Sequence, residues 1–226
     1  MTRKIDHARC PEAVLFDLDG TLVDTAGDFI QVLNTQRKRH NMVALDPQHI
    51  RDTVSNGARA LTRLAFGGEP GETEFESRRQ ELLELYLEVV GRDAKLFEGM
   101  DEVLLSLESR GVLWGIVTNK PRLYTEKLLD RIQLSHRCSV TVCPDDVQQS
   151  KPDPEGLLMA AQTLGIQPKA IWYVGDHERD IQAGQAANMT TVAARYGYID
   201  EPGIVSGWQA HFQIDRPLDI LSLAGL

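Results

Sequence analysis

The chain has 226 residues, 42% hydrophobic and 25% charged, enough to bury one sizeable core, alone or with an inserted subdomain. This composition excludes disordered, collagen-like and small disulfide-scaffold proteins. With 24 Lys and Arg against 33 Asp and Glu, the net charge of −9 argues against a protein that grips phosphate backbones through a basic face, so no nucleic-acid partner is expected.

In chain order, the apolar run Ala13-Val14-Leu15-Phe16 stops at Asp17-Leu18-Asp19-Gly20-Thr21, the pattern of a buried strand ending in a polar loop. From residue 24 to 95 the period becomes helical, through Phe29, Val32 and Leu33, then Leu61, Leu64 and Ala65, then Leu82, Leu83, Leu85, Tyr86 and Val89. Gly67-Gly68-Glu69-Pro70-Gly71 breaks the helices, and no strand is expected within this segment. Thereafter helices at 100–109, 121–132, 154–164 and 178–187 alternate with strands at 113–117, near 139–143, at 170–174 and at 190–194. A weaker strand near 211–214 and a short C-terminal helix complete the chain. Alternation of this kind builds a parallel sheet covered on both faces. The fold class expected is therefore α/β, a doubly wound parallel sheet interrupted after its first strand by a helical insertion.

Two further features bear on setting. Cys10, Cys138 and Cys143 form neither a CxxC pair nor a zinc-spaced cluster, which points to a reducing compartment, with all three filling apolar space. The charged residues 1–12 lead into no signal-like apolar stretch, and no run approaches the roughly 18 apolar residues of a membrane span. A cytoplasmic location without membrane contact is expected.

In doubly wound sheets ligands bind beyond the carboxyl ends of the strands. Four polar clusters fall at such places: Asp17-Leu18-Asp19-Gly20-Thr21, Thr118-Asn119-Lys120-Pro121, Ser150-Lys151-Pro152-Asp153-Pro154 and Gly175-Asp176-His177-Glu178-Arg179-Asp180. Any one of them alone is as well explained as a strand meeting water. Two carboxylates one residue apart, Asp17 and Asp19, face the same side if strand geometry persists. Like charges held that close suit a nucleophile beside a general acid, a metal site, or both; the alternative is a turn in which Asp19 or Thr21 binds backbone amides. Asp176 and Asp180, four residues apart at a strand-to-helix junction, can reach a common cation, and for carboxylate oxygens beside a phosphate the natural ion is Mg²⁺. Thr118 and Asn119, just before Pro121, can hold phosphate oxygens. Lys151, stiffened by neighbouring prolines, supplies a fixed cation.

These clusters, in this order, resemble the four signature motifs of the haloacid dehalogenase superfamily of phosphohydrolases. The helical insertion is similar in position to that family's cap. The resemblance implies a catalytic core of residues 1–23 and 96–226 and a helical cap of residues 24–95. It implies that Asp17 is the nucleophile, forming an aspartyl-phosphate, and that Asp19 protonates the leaving oxygen and then activates water. By the same resemblance Asp17, the Asp19 main-chain carbonyl and Asp176 hold Mg²⁺ with support from Asp180, while Thr118, Asn119 and Lys151 hold the phosphoryl group. A leaving-group acid at Asp19 serves phosphoester hydrolysis and has no task in dehalogenation. His177 departs from the small polar or acidic residue common in relatives, and packing at a helix start is expected of it.

Within the superfamily the chain is similar to the phosphoglycolate phosphatase-like group. Ser55-Asn56-Gly57-Ala58-Arg59-Ala60, Lys95-Leu96-Phe97-Glu98-Gly99-Met100, Cys143-Pro144-Asp145-Asp146 and Arg195-Tyr196-Gly197-Tyr198 resemble the branch that dephosphorylates N-acetylmuramic acid 6-phosphate in cell-wall recycling. That ester and 2-phosphoglycolate are both small phosphorylated substrates with a carboxylate. Arg59 either pairs with that carboxylate or is a solvated helix arginine. A phosphosugar mutase or a non-catalytic binding protein are the readings from other classes, and either a monomer or a homodimer suits the sequence.

Overall fold

A computed structural model describes residues 10–199 and 201–226; the first nine residues of the expected core, with most of the charged start, lie outside the described residues. Strand β1 (Ala13–Phe16) is buried at all four positions, as a central strand covered on both faces requires. Six strands form one parallel sheet: β5 (Thr141–Val142), β4 (Leu113–Val117), β1, β6 (Ile171–Gly175), β7 (Thr190–Ala194) and β8 (Phe212–Ile214), in that spatial order. Ala13 is in register with Leu113 on one side and Ile171 on the other. After β1 the chain builds to one side and returns to build on the other, so the switch in strand order lies at the end of β1.

Helices α5 (Met100–Ser109), α6 (Arg122–Arg131), α7 (Glu155–Leu164), α8 (Glu178–Ala186) and α9 (Asp219–Ala224) cover the sheet. Period-two alternation decides which face each strand residue serves. Ala13, Leu15, Ile171 and Tyr173 join Leu157, Ala160 and Ala183 on one face. Val14, Phe16, Trp172 and Val174 join Val103, Leu104 and Leu128 on the other. Full burial of each large apolar side chain contributes about 1.5–3 kcal/mol, which favours this alternation over a slipped register.

Four helices, α1 (Ala26–Arg39), α2 (Pro47–Thr53), α3 (Gly57–Phe66) and α4 (Thr73–Val89), make up the insertion. Asp46 starts α2 by accepting from the Gln48 and His49 amides at 2.7 and 3.3 Å, with Pro47 in the first turn. Helix α4 packs against α1 and α3, and its apolar face continues the hydrophobic cluster on the second sheet face without a break. At its C-terminus, Lys127 of α6 donates to the Leu87 carbonyl at 2.6 Å, and Arg131 donates to those of Val89 and Val90 at 3.0 and 2.6 Å. These cations satisfy carbonyls that have no partner within the helix.

Two findings differ from the sequence expectation. The insertion is bounded by a two-stranded antiparallel ladder, β2 (Val23–Asp24) with β3 (Lys95–Leu96). Strands of two residues carry no alternation to detect, so the segment looked purely helical. The cysteines are all free, but Cys10 is exposed and fills no apolar space; Cys143 is buried and Cys138 half-buried.

Candidate active site

The carboxyl ends of β1, β4 and β6 bring the expected residues to one cavity. Asp17 follows β1 directly, its amide donating to the Val174 carbonyl at 2.9 Å and its Oδ1 accepting from the Leu18 amide at 2.7 Å. Leu18, Leu22 and Val23 are buried and fasten the loop to the core. Gly20 has φ +83°, and a Cβ there would collide with the Asp176 carboxylate, so the turn demands glycine.

Lys151 lies beneath this loop, fully buried. Its Nζ is 2.9 Å from Asp17 Oδ1, 2.8 Å from Asp180 Oδ1, 2.9 Å from the Val117 carbonyl and 2.7 Å from Tyr173 Oη. Burial pulls its pKa down, but attraction and hydrogen bonds to Asp17 and Asp180 more than reverse this, leaving it raised. Asp17 goes up despite Lys151, because burial outweighs the ion pair and Asp180 adds a like charge.

Asp176 directly follows β6 and is likewise buried. It accepts from Thr21 Oγ1 at 3.0 Å, from the Tyr198 amide at 3.0 Å and from Ser55 Oγ, in the insertion, at 2.8 Å. Burial, then the charges of Asp17 and Asp180, push its pKa up to about 7. Asp180 stands in the first turn of α8, with Oδ2 accepting the His177 amide at 3.0 Å while Oδ1 meets Lys151. His177 sits at the helix start, its Nδ1 accepting from the Arg179 amide at 3.2 Å.

Thr118 and Asn119 leave β4 beside these groups. Asn119 makes a reciprocal pair with the Lys151 main chain, Nδ2 donating to its carbonyl at 3.0 Å and Oδ1 accepting its amide at 3.2 Å. Its side chain therefore fixes the lysine loop, which narrows the expectation of phosphate binding by Asn119 to its main chain. Thr118 Oγ1 accepts the Lys120 amide at 3.1 Å and borders the cavity.

Asp19 borders the same cavity as Asp17 but has a separate anchor. Its Oδ1 accepts from Lys120 Nζ at 2.9 Å and Thr25 Oγ1 at 2.6 Å. The cavity, about 360 Å³, is lined from the sheet ends by Asp17, Asp19 and Thr118, from the insertion by Arg59, Arg79 and Leu83, and from α6 by Tyr124. Arg59 is exposed there, in the first turn of α3.

The family profile of haloacid dehalogenase-like hydrolases matches residues 14–194, which takes in every residue of this site. The chain belongs to that family. It is similar to an N-acetylmuramic acid 6-phosphate phosphatase of Pseudomonas aeruginosa, 42% identical over 212 residues and covering 94% of each chain. A phosphoglycolate phosphatase of Xanthomonas campestris pv. campestris is 38% identical over 212 residues, covering 92% of this chain and 94% of its own. Among solved structures, one described as a predicted phosphoglycolate phosphatase of Haemophilus somnus 129PT superposes with a TM-score of 0.82 at 27% identity, covering 94% of this chain and 97% of its own.

Haloacid dehalogenase-like phosphatases generally use Mg²⁺, and the residues here fit it. Asp17, Asp176 and Asp180 each offer a carboxylate oxygen, all within 4.8 Å of one another, and all three are buried. Lys151 bonds to two of them, so three carboxylates face one ammonium; burial first, and then the charges of Asp17 and Asp180, raise the pKa of Asp176. Hard oxygen donors in this number suit Mg²⁺.

Sequence reasoning passed over Lys120 and Ser55 as functional residues of this haloacid dehalogenase-like fold. Both stand inside segments singled out by the motifs. What makes them important, Asp19 for Lys120 and Asp176 for Ser55, lies 101 and 121 residues away, and no local pattern signals such a partner.

Proposed function

We propose that this phosphatase hydrolyses N-acetylmuramic acid 6-phosphate through an aspartyl-phosphate on Asp17. The observation that carries the reading is the pair of separately anchored carboxylates in one cavity, Asp17 on Lys151 and Asp19 on Lys120. An Asp17 oxygen bonds to phosphorus, the phosphorus–oxygen bond to the sugar breaks, and a proton from Asp19 goes to the departing oxygen. Asp19, now a base, takes a proton from the water that cleaves the aspartyl-phosphate. Lys151 holds Asp17 in place and offsets the negative charge that would repel the substrate. Thr118 and the main chain of Asn119 face the phosphoryl oxygens. Asp17, Asp176 and the Asp19 carbonyl would hold Mg²⁺, supported by Asp180, and the ion would neutralise phosphoryl charge as the bond breaks. Residues 24–95 act as a cap that closes the cavity over the substrate.

Three observations favour the sugar ester over a two-carbon acid: the 42% identical relative, the cavity of about 360 Å³, and a lining that includes Leu83 and the Tyr124 ring as well as Arg59. The second reading, 2-phosphoglycolate, is favoured by the 38% identical relative. Comparison of kcat/KM for the two esters decides between them: preference for the sugar ester is expected, and a clear preference for phosphoglycolate overturns the substrate choice. Asp17→Asn is expected to abolish phosphate release, by at least about 10³-fold. Substantial turnover by that variant would remove the nucleophile assignment.

A further inference from the structure

Asp19 is held asymmetrically. Its Oδ1 accepts from both Lys120 and Thr25, whereas among the described residues no hydrogen bond reaches Oδ2. Lys120 is itself buried, and a buried ammonium is costly unless its charge and all its donors are met. Beyond Asp19, it finds Tyr86 Oη at 2.7 Å and the faces of two rings, 4.6 Å from the centroid of Tyr86 and 5.2 Å from that of Phe29. Those rings stack on each other at 4.1 Å with planes 9° apart, so neither can turn without the other. Lys120 follows strand β4, but Phe29 belongs to α1 and Tyr86 to α4, both in the insertion.

We propose that Lys120 and Tyr86 are positioning residues for Asp19, pinning Oδ1 so that Oδ2 is the oxygen presented to the leaving group, and that the docked insertion completes this arrangement. The inference rests on the reading of Asp19 as the acid of phosphoester cleavage. Neither Lys120 nor Tyr86 exchanges a proton or bond with the substrate. In the first step the Asp17 oxygen bonds to phosphorus, the ester oxygen leaves with its electron pair, and the proton of Asp19 Oδ2 goes to that oxygen. A sugar or alkyl oxygen needs this proton; a nitrophenolate leaves without it.

That difference supplies the test. The ratio kcat/KM reports events only as far as leaving-group departure, so later hydrolysis of the aspartyl-phosphate does not enter it. Lys120→Met keeps the length of the stem and removes the charge; Tyr86→Phe keeps the stacked ring and removes the hydroxyl. Each is assayed with 4-nitrophenyl phosphate and with whichever of N-acetylmuramic acid 6-phosphate and 2-phosphoglycolate the unaltered chain prefers, alongside Asp19→Asn. Lys120→Met is expected to lose about 100-fold with the alkyl ester and less than about threefold with the aryl ester, and Tyr86→Phe about fivefold with the alkyl ester alone. Equal losses on both esters, or no loss on either, overturn the proposal, because a side chain that only fills space does not sense the leaving group. Should Lys120→Met fail to fold, Tyr86→Phe decides by the same criterion. If the unaltered chain hydrolyses neither ester, the phosphatase reading falls, a result distinct from an unselective variant of an active enzyme.

Discussion

At the scale of single residues, the site is a balance between burial and charge. Asp17 and Asp176 are carboxylates with raised pKa values, so the folded protein takes up protons that the unfolded chain does not. For Asp176 the window runs from its ordinary value near 4 to about 7: its contribution to stability is full at low pH and is lost as pH rises through that window. The proton and Mg²⁺ therefore compete. Apparent Mg²⁺ affinity, measured by titration calorimetry, is expected to weaken roughly tenfold from pH 6 to pH 5, and Mg²⁺ to raise the melting temperature more at pH 8 than at pH 5.5. A melting temperature indifferent to Mg²⁺ at pH 8 would contradict the metal assignment. Asp17, Asp19, Lys151 and Asp176 stood out in the sequence because strand ends and short spacings are local patterns. The carboxylate anchors Thr25, Ser55 and Lys120 did not, since a hydroxyl or ammonium declares its purpose only when folding chooses its partner.

At the scale of elements, the helices and longer strands followed from periodicity, but the fastening of the insertion did not. Asp28, fully buried in the first turn of α1, accepts the Gly91 and Asp93 amides at 2.6 and 2.9 Å and so ties the start of the insertion to its end. Tyr198, beyond β7, does the same for the other side. Its hydroxyl donates to Asp24 at 2.8 Å and accepts the Thr25 and Ala26 amides at 2.6 and 2.9 Å, while Arg51 pairs with Asp24 at 2.9 Å. A buried aspartate reads in sequence as an ordinary helix-start acid, and nothing nearby reveals that it serves a turn 63 residues on. Asp28→Ala leaves two amides without their acceptor and is expected to cost about 2–3 kcal/mol in urea unfolding. Asp28→Asn, which keeps one acceptor oxygen, is expected to cost less. Equal stability of Asp28→Ala and the unaltered chain would deny the fastening role.

At the scale of the whole molecule, a chain of net charge −9 gathers Arg59, Arg79, Lys120 and Arg179 around one cavity. The overall sign argued against a polyanion partner, but it gave no hint of the cations gathered along this cavity, which only the assembled fold displays. Lys120 and Arg79 are committed to Asp19 and Glu76, and Arg179 donates to the Ser55 carbonyl. Arg59 lines the cavity and has no ion pair among the described residues, and we propose that it meets the substrate carboxylate. Arg59→Ala is expected to raise KM about tenfold for carboxylate-bearing esters and less than about twofold for neutral sugar phosphates, in steady-state assays at constant ionic strength. An equal rise for both would leave Arg59 as a solvated helix residue.

The central place of β1 has a consequence for how the chain matures. Its neighbours in the sheet begin at residues 113 and 171, so β1, the first strand among the described residues, waits for partners that arrive 100 and 158 residues later. Contacts of such sequence separation close slowly, and a buried apolar strand left open meanwhile is a target for aggregation. The loop that carries Asp17 is thus made first and enclosed late. A nascent or truncated chain lacking β6 would have Asp17, the proposed nucleophile, without the strand that leads into Asp176, and on that proposal would stay inactive until β6 is made.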